Sequence, residues 1–172
     1  MPWKPETISS PASAFKIRSF EREDIPQLLE LMIGLAEFEN YREQFAVRER
    51  DLVASGFGAD PEFFAKVALS DDGTLLGMAV YYLVPFTYDL HPDLVLKELF
   101  VRRDARGTGV GQALMDDLVE TARSSDCKRI KWLVLASNDP AKRFYEVLGG
   151  RHDEKWELWQ LQVMPSPNAP QW

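Results

Sequence analysis

The stretch that decides the fold is Val101 to Gln112, which reads VRRDARGTGVGQ. A strand-like apolar segment precedes it, and residues with the apolar spacing of a helix follow it. Its three glycines let the backbone approach an anion closely, and the unpaired N–H groups at the start of a helix point toward such an anion. The helix dipole and the Arg106 side chain add positive potential. The stretch therefore predicts a turn between a strand and a helix that binds a diphosphate.

The same residues exclude two familiar phosphate-binding loops. A Walker loop requires a Lys followed by Ser or Thr, and no such pair follows these glycines. The dinucleotide fingerprint spaces its glycines as G-x-G-x-x-G near the start of a domain. Here the spacing is G-x-G-x-G, and the turn lies late in the chain.

Outward from this turn, strand-like and helix-like patterns alternate along the chain. Asp72-Gly73 is a strong hairpin signal, and the apolar run 130–135 is typical of a strand buried on both faces. The order of segments predicts an α/β (α+β) domain with a mixed sheet and helices on both faces. Strands are predicted at residues 15–19, 63–69, 75–83, 95–101, 130–135 and 156–163, and helices at residues 25–36, 49–55, 110–123 and 140–148.

Two of the predicted helices carry clear start signals. Asp24 is suited to an N-cap, with Pro26 tolerated in the first turn. Asp139 has the same character before Pro140, which is suited to the first helical position. The Gly149-Gly150 pair is expected to end that last helix.

The composition fits one domain over residues 15–163, between tails at 1–14 and 164–172 that are rich in Pro. The single cysteine, Cys127, excludes an internal disulfide, and one Cys with two distant His residues cannot supply a zinc site, so no metal is expected. No apolar run approaches the roughly 20 residues of a membrane span. Residues 1–14 do not resemble a secretory signal. We therefore expect a cytoplasmic protein that binds no membrane.

The net charge of −7 is concentrated in one part of the chain. Residues 20–62 contain eleven acidic residues and four arginines, so the remainder is neutral by count. This distribution argues against a nucleic-acid partner, because proteins that bind nucleic acids carry basic stripes. An acidic surface instead attracts cations, although most of these acids are expected on solvated helix faces.

The glycine turn also carries a family resemblance. Arg106, Gly109 and Gly111 resemble the acetyl-CoA motif of the GNAT N-acetyltransferase superfamily. Residues 138–141, 144–145 and 149 resemble its second signature. Within the superfamily the chain is most similar to the spermidine/spermine (diamine) and thialysine acetyltransferases, and the resemblance extends over residues 16–161. Further matching positions are residues 35–39, 43–44, 56–58, 81–82, 86–89 and Trp156.

This resemblance implies a GNAT fold with a splayed strand pair that binds acetyl-CoA. The pantetheine arm would pair with the backbone of one strand, and the diphosphate would lie on the glycine turn beside Arg106. The start of the last helix would contact the cofactor as well. The resembling enzymes form homodimers, so a homodimer is expected. The implied cofactor residues are Leu99, Phe100, Val101, Arg106, Gly107, Thr108, Gly109, Val110, Gly111, Gln112, Asn138, Asp139, Pro140 and Ala141.

Acetylation of an amine requires a base and an acid. An alkyl ammonium has a pKa near 10.4, so its deprotonation at neutral pH costs roughly 4 to 5 kcal/mol. Glu98, on the strand before the turn, is our candidate base or amine anchor; the alternative is an exposed residue paired with a lysine. The resemblance implies that Tyr145 protonates the leaving CoA sulfur. The alternative for Tyr145 is a tyrosine packed on its own helix.

The resemblance also implies an anionic groove for the acceptor amine. Phe38, Glu39, Glu43 and Glu154 match positions near the acceptor in the resembling enzymes. The family pattern at Lys97-Glu98 is usually two acids, so Lys97 reverses one charge. Lys97 would repel a second ammonium group or bind a carboxylate of the acceptor.

These features predict an acetyl-CoA-dependent N-acetyltransferase. Its expected acceptor is the primary amine of a small molecule, which is a diamine, a polyamine or a lysine-like amino acid. The acetyl group is expected to pass directly to the amine in a ternary complex. Two alternatives stay open, an acetyltransferase for protein N-termini or lysines and a non-catalytic module that binds acyl-CoA. An enzyme acting on aminoacyl-tRNA would need a basic face, which this acidic chain lacks by composition.

Overall fold

The computed structural model describes residues 15–163, which fall into two compact units divided between Ala136 and Ser137. The first unit is built on a five-stranded sheet in the order β1-β2-β3-β4-β5. Neighbouring strands are antiparallel except for β4 and β5, which are parallel. The elements of the first unit are β1 (Phe15–Ser19), α1 (Ile25–Phe38), α2 (Glu49–Gly56), β2 (Phe64–Ser70), β3 (Leu75–Val84), β4 (Asp93–Val101), α3 (Val110–Ser124) and β5 (Arg129–Trp132), and the second unit contains α4 (Asp139–Val147).

Helices cover both faces of the sheet, which confirms the predicted mixed α/β architecture. Met78 of β3 is fully buried in the apolar core that includes residues of α1 and α2. The adjacent Gly77 points to the opposite face, where an added Cβ atom would lie 3.2 Å from Val110 Cγ1 of α3. The same Cβ atom would lie 2.8 Å from the Phe100 carbonyl oxygen, so no side chain fits at this position.

The predicted hairpin joins β2 and β3. Gly73 adopts a φ of +86°, which glycine tolerates without a steric penalty. Ser70 Oγ donates a hydrogen bond to the Asp72 carboxylate and accepts one from the Thr74 N–H at 3.1 Å, and these bonds close the turn. Asp24 is the N-cap residue of α1 and Pro26 lies in the first turn, as predicted. The Asp24 carboxylate, however, pairs with Arg18 instead of capping the helix.

The N-cap of α4 lies one residue earlier in the chain than the sequence predicted. Asn138, not Asp139, is the N-cap residue, and its Oδ1 accepts a hydrogen bond from the Ala141 N–H at 3.1 Å. Asp139 and Pro140 therefore occupy the first two helical positions, where neither the carboxylate nor the missing proline N–H disturbs the helix. The helix ends at Val147, and Gly149 follows with a φ of +82°, as the glycine pair predicted.

Two strand predictions are wrong. The apolar run 130–135 is not a strand buried on both faces, because β5 ends at Trp132 and Leu133 is 69% exposed. β5 pairs only with β4 within the described residues, so one edge of this strand has no neighbour. Residues 156–163 form no strand, because no described strand pairs with their backbone. Their large side chains, including Trp156 and Trp159, are exposed.

Residues 1–14 and 164–172, the predicted tails, lie outside the described residues. Within residues 15–163, no helix has both the length and the apolar character that a bilayer span needs. A short 3-10 turn, Arg103–Ala105, connects β4 to the glycine turn and α3. This connection places the predicted diphosphate turn directly after the strand that carries Glu98.

Candidate active site

A bulge in β4 determines where Glu98 points. Glu98 lies opposite Val80 of β3, whereas Leu96 lies opposite Tyr81, so Lys97 is an extra residue in β4. Residues that face each other across antiparallel strands lie on the same side of the sheet. Val80 and Tyr81 are consecutive and point to opposite sides. The bulge therefore turns Glu98 away from the side of Leu96 and onto the side of Val80.

The side of Val80 is the one that α1 covers. Phe100 follows Glu98 by two residues and lies on the same side, and an added Cβ atom at Gly34 of α1 would lie 3.0 Å from its ring. Val80 itself belongs to the core cluster that includes residues of α1. Glu98 thus points toward the layer formed by α1.

Glu98 is half-buried, and its Oε2 atom is buried without a hydrogen-bond partner among the described residues. Burial raises the pKa of the Glu98 carboxyl, the positive charge of Lys97 lowers it, and the negative charge of Glu39 raises it further. The net effect is a raised pKa, which makes the carboxylate a stronger base than an exposed glutamate. A buried polar atom without a partner also marks a place where a ligand or water is expected to bind.

The end of α1 supplies two further side chains beside Glu98. Glu39 is the C-cap residue, and Asn40 follows in the left-handed conformation with a φ of +61°. The Tyr41 N–H then donates to the Ala36 carbonyl oxygen at 2.9 Å, which closes the helix end in the manner of a Schellman motif. Glu39 and Tyr41 are both half-buried and are held directly after the helix.

Two phenols lie near enough to these carboxylates for the negative charges to act on them. Burial raises the pKa of Tyr41, and the charges of Glu98 and then Glu39 raise it further. Burial also raises the pKa of Tyr82, which lies on the Glu98 side of the sheet, and the charges of Glu98 and then Glu62 add to that effect. We call these four side chains the acid–phenol cluster: Glu39, Tyr41, Tyr82 and Glu98.

Sequence reasoning predicted Glu39 and Glu98 as site residues, and the structure brings these two close enough for their charges to interact. The sequence reasoning did not assign a role to Tyr41 or Tyr82. The pair Tyr81-Tyr82 was visible as part of the family resemblance. Only the register of β3 and β4 shows that Tyr82, and not Tyr81, lies on the Glu98 side.

The other predicted acceptor residues lie at the surface. Lys97 is exposed, and it forms no ion pair with a residue in the part of the chain that the structure describes. Phe38 is 50% exposed at the end of α1. Glu43 is exposed beyond the turn after α1, and Glu154 is exposed in the second unit. The roles of these four residues at the acceptor stay predictions.

The glycine turn is open toward solvent. Gly107 and Gly109 adopt φ values of +77° and +90°, and an added Cβ atom at either would meet no atom within 4 Å. Thr108 Oγ1 donates to the Ala105 carbonyl oxygen at 2.7 Å and holds the turn against the preceding 3-10 turn. Glycine is therefore required here by backbone conformation and not by crowding within the protein.

The start of α3 leaves backbone donors available. Gly109 is the N-cap residue and has no side chain to cap the helix, so the first N–H groups of α3 have no intrahelical acceptor. These are the N–H groups of Val110, Gly111 and Gln112. The Gln112 side chain is turned along the helix, where its Nε2 donates to Asp116 Oδ1 at 3.0 Å.

The edge of β4 next to this turn is also open. β4 pairs with β5 only from Asp93 to Leu96, opposite Arg129–Trp132. Residues 98–101 pair with β3 on one side and with no described strand on the other. This is the splayed strand pair that the resemblance implied. An extended ligand with amide groups, such as pantetheine, can add to an edge of this kind.

Arg106 connects the glycine turn with the end of α1. Its Nε donates to the Val101 carbonyl oxygen at 3.1 Å. Its guanidinium carbon lies 5.2 Å from the centre of the Phe38 ring and 5.7 Å from that of Phe100. The positive charge therefore rests on two aromatic faces at the border between the glycine turn and the α1 terminus.

The second unit carries the remaining predicted residues. Asn138 caps α4, Asp139 Oδ1 lies 3.3 Å from Lys142 Nζ, and Pro140 and Ala141 occupy the first turn. Tyr145 is half-buried, and its ring meets that of Phe144 at 5.2 Å in an edge-on arrangement. The proposed roles of Asn138, Asp139, Pro140, Ala141 and Tyr145 stay predictions.

Comparisons with known proteins agree with this geometry. The sequence profile of the acetyltransferase (GNAT) family matches residues 25–149, which is more than half of the chain.

Two curated relatives are similar over most of the chain. One is thialysine N-epsilon-acetyltransferase of Bos taurus, which is 31% identical over 149 residues that cover 83% of this chain and 88% of the relative. The other is spermidine/spermine N(1)-acetyltransferase-like protein 1 of Homo sapiens, which is 31% identical over 155 residues. That match covers 86% of this chain but only 22% of the length of the human protein.

A solved structure agrees as well. An integron cassette protein from the mobile metagenome of V. cholerae is 25% identical and superposes with a TM-score of 0.72 over 87% of this chain and 93% of that chain. The chain therefore belongs to the GNAT family and is an N-acetyltransferase.

Proposed function

We propose that the protein transfers the acetyl group of acetyl-CoA to the primary amine of a small cationic molecule, directly and within a ternary complex. The observation that carries this proposal is the half-buried Glu98, whose Oε2 has no described hydrogen-bond partner and whose pKa is raised by burial. The nearby Glu39 makes the surroundings of this base anionic. An anionic pocket with a basic carboxylate is suited to bind an ammonium group and to remove its proton.

Three features of the chain support acetyl-CoA as the acetyl donor: the glycine turn with the start of α3, Arg106, and the open edge of β4. The open turn at Gly107 to Gly109 and the uncapped N–H groups of α3 suit a diphosphate. Arg106 adds a positive charge beside that turn, and the open edge of β4 from Leu99 to Val101 suits the pantetheine amides. When bound, acetyl-CoA supplies the acetyl group as a reactive thioester.

Glu98 would act on the amine. An alkyl ammonium at neutral pH is not nucleophilic, because its lone pair holds a proton. The Glu98 carboxylate would take this proton, either directly or through one water, and the raised pKa of Glu98 reduces the energetic gap between the two groups. Tyr145 would hold the proton that the departing sulfur requires, because a phenol with a pKa near 10 is protonated at neutral pH.

Lys97 would narrow the choice of acceptor. It is exposed, and its charge acts on Glu98 at the adjacent position. A long polyamine carries further ammonium groups that this charge would repel, whereas the carboxylate of an amino acid would be attracted. The proposed acceptor is therefore a lysine-like amino acid or a short amine. The relatives named above are consistent with an amine acceptor of this size, since one is named for thialysine.

We also propose that the protein is cytoplasmic, and the family resemblance leads us to propose that it is a homodimer. Sedimentation equilibrium of the purified full-length chain would test the assembly. A monomer at concentrations far above those of the activity assay would contradict it.

The test of the proposed function is steady-state release of CoA from acetyl-CoA against a panel of amines. The panel contains spermidine, putrescine, lysine, thialysine and a peptide with a free N-terminus. Turnover with lysine or thialysine supports the proposal, and turnover with the peptide alone favours a protein acetyltransferase. Binding of acetyl-CoA without turnover of any amine contradicts the proposal and favours a non-catalytic module.

A further inference from the structure

Two phenol groups in the acid–phenol cluster have hydroxyls with no described partner. Neither the Tyr41 nor the Tyr82 hydroxyl forms a hydrogen bond to another side chain or backbone group within residues 15–163. Tyr41 is half-buried and Tyr82 is 36% exposed, so both lie at the border between protein and solvent. The two hydroxyls thus accompany Glu98 Oε2, a buried oxygen that also has no described partner.

Two features of the backbone, the bulge in β4 and the closure of α1, bring these atoms close together. The bulge at Lys97 places Glu98 and Tyr82 on the same side of neighbouring strands. The Schellman closure of α1 places Tyr41 directly after the helix that covers that side. Each phenol is close enough to Glu98 for its charge to act on the hydroxyl. The cluster is thus assembled from three elements, β3, β4 and the end of α1.

The chemistry of the cluster indicates its ligand. Two carboxylates exclude an anion, and a phenol oxygen can accept a hydrogen bond from a cationic donor. A primary ammonium group has three N–H donors, so it can donate to Glu98 Oε2 and to both phenol oxygens at the same time. An N-methyl ammonium group has only two N–H donors and would leave one of these atoms without a partner.

We propose that Tyr41 and Tyr82 are specificity-determining residues of the acceptor site, whose hydroxyl oxygens accept hydrogen bonds from the primary ammonium that Glu98 binds. This inference rests on the proposed function and extends it. The two phenols select an unsubstituted primary amine against its N-methyl analogue.

The experiment compares Tyr41→Phe and Tyr82→Phe with a matched control, Tyr88→Phe. Tyr88 is 85% exposed on the loop between β3 and β4 and lies outside the cluster. Phenylalanine keeps the ring and removes only the hydroxyl, so the fold is retained, and circular dichroism checks this. The assay uses the best amine of the panel, its N-methyl analogue and acetyl-CoA, and calorimetry measures amine binding to each variant in the presence of CoA.

Loss of one hydrogen bond to a charged group is expected to raise the KM for the primary amine about tenfold in each cluster variant. The KM for acetyl-CoA and the values of the control variant are expected to stay within about twofold of wild type, the usual scatter of a neutral surface substitution. The preference for the primary over the N-methyl amine is expected to fall in both cluster variants. A purely structural role would not move this ratio.

Two results would overturn the inference. The first result applies if the wild type acetylates the amine. It is that both cluster variants keep the wild-type KM for the amine and the wild-type preference for the primary over the N-methyl amine. In that case the proposed function stands and only the role of the phenols fails. The other is equal amine affinity of wild type and variants by calorimetry, which needs no turnover and is informative even if the wild type acetylates no amine of the panel.

Discussion

Glu98 lies opposite Val80, on the side of the sheet that α1 covers, because Lys97 is an extra residue in β4. Without that residue, Glu98 would share the side of Leu96, where α3 packs. Bulges are frequent beside functional sites because they redirect a side chain. Here the bulge gives the protein both a half-buried carboxylate and an exposed lysine at adjacent positions. The first predictions test these two charges.

Replacement of Glu98 by Gln is expected to lower kcat/KM for the amine by about a hundredfold or more, the usual contribution of a general base. Burial raises the pKa of Glu98, so in the wild type kcat/KM is expected to rise with pH across a pKa above the ordinary range of glutamate. The measurement is the pH profile of both proteins. An acid limb that persists unchanged in Glu98→Gln would show that another group is titrating.

The same substitution is expected to stabilise the fold at neutral pH. The folded-state pKa of Glu98 lies above that of the unfolded chain, so the folded protein binds this proton more tightly. Stability is therefore lost as the pH rises from the unfolded to the folded pKa, because the buried carboxyl must ionise. Gln keeps the shape without the charge. The Tm of Glu98→Gln is expected to exceed that of wild type at pH 7 and to match it below about pH 4. A lower Tm at pH 7 would mean that the ionised carboxylate is well paired.

Lys97→Glu is expected to shift the acceptor preference. It restores the acidic pair that the resembling enzymes have and removes the repulsion of a second ammonium. The kcat/KM for spermidine relative to lysine is expected to rise about fivefold, which corresponds to roughly 1 kcal/mol for a charge near the protein surface. Lys16→Glu, at an exposed position of β1, makes the same change in net charge and serves as the control. Equal ratios in the two variants would remove Lys97 from the specificity argument.

Tyr145→Phe is expected to lower kcat by about a hundredfold, the usual scale for loss of a general acid, while the affinity for acetyl-CoA stays nearly unchanged. Phenylalanine retains the edge-on contact with Phe144 and removes only the hydroxyl. Turnover is measured across pH, and cofactor affinity is measured by equilibrium titration. Rates equal to those of wild type at every pH would exclude Tyr145 as the acid.

The sequence predicted local features well because they depend on local residues. The hairpin at Gly73, the helix after the glycine turn and the end of α4 follow from glycine conformation and apolar spacing. The prediction failed at 156–163, where the local sequence gave no information on whether a partner strand exists. Glu98 was identified from its position before the turn. Its orientation and the role of Tyr41 depend on a bulge and a helix closure that join distant segments, which periodicity does not report.

The glycine turn allows a test that separates cofactor binding from backbone strain. Gly109 and Gly73 have similar φ values, +90° and +86°, and an added Cβ atom would meet no protein atom within 4 Å at either position. Replacement of either by Ala is expected to destabilise the fold by about 1–2 kcal/mol, the cost of a left-handed conformation. Only Gly109→Ala would place a methyl group where the diphosphate is proposed to lie.

Gly109→Ala is therefore expected to weaken acetyl-CoA binding by about tenfold or more, because the backbone N–H groups would no longer reach the phosphate oxygens. Gly73→Ala, at the β2–β3 hairpin, is expected to bind acetyl-CoA as wild type does. Thermal unfolding compares the strain, and calorimetric titration with acetyl-CoA compares the binding. Equal losses of affinity in both variants would attribute the effect to general destabilisation, and equal retention would place the diphosphate elsewhere on the chain.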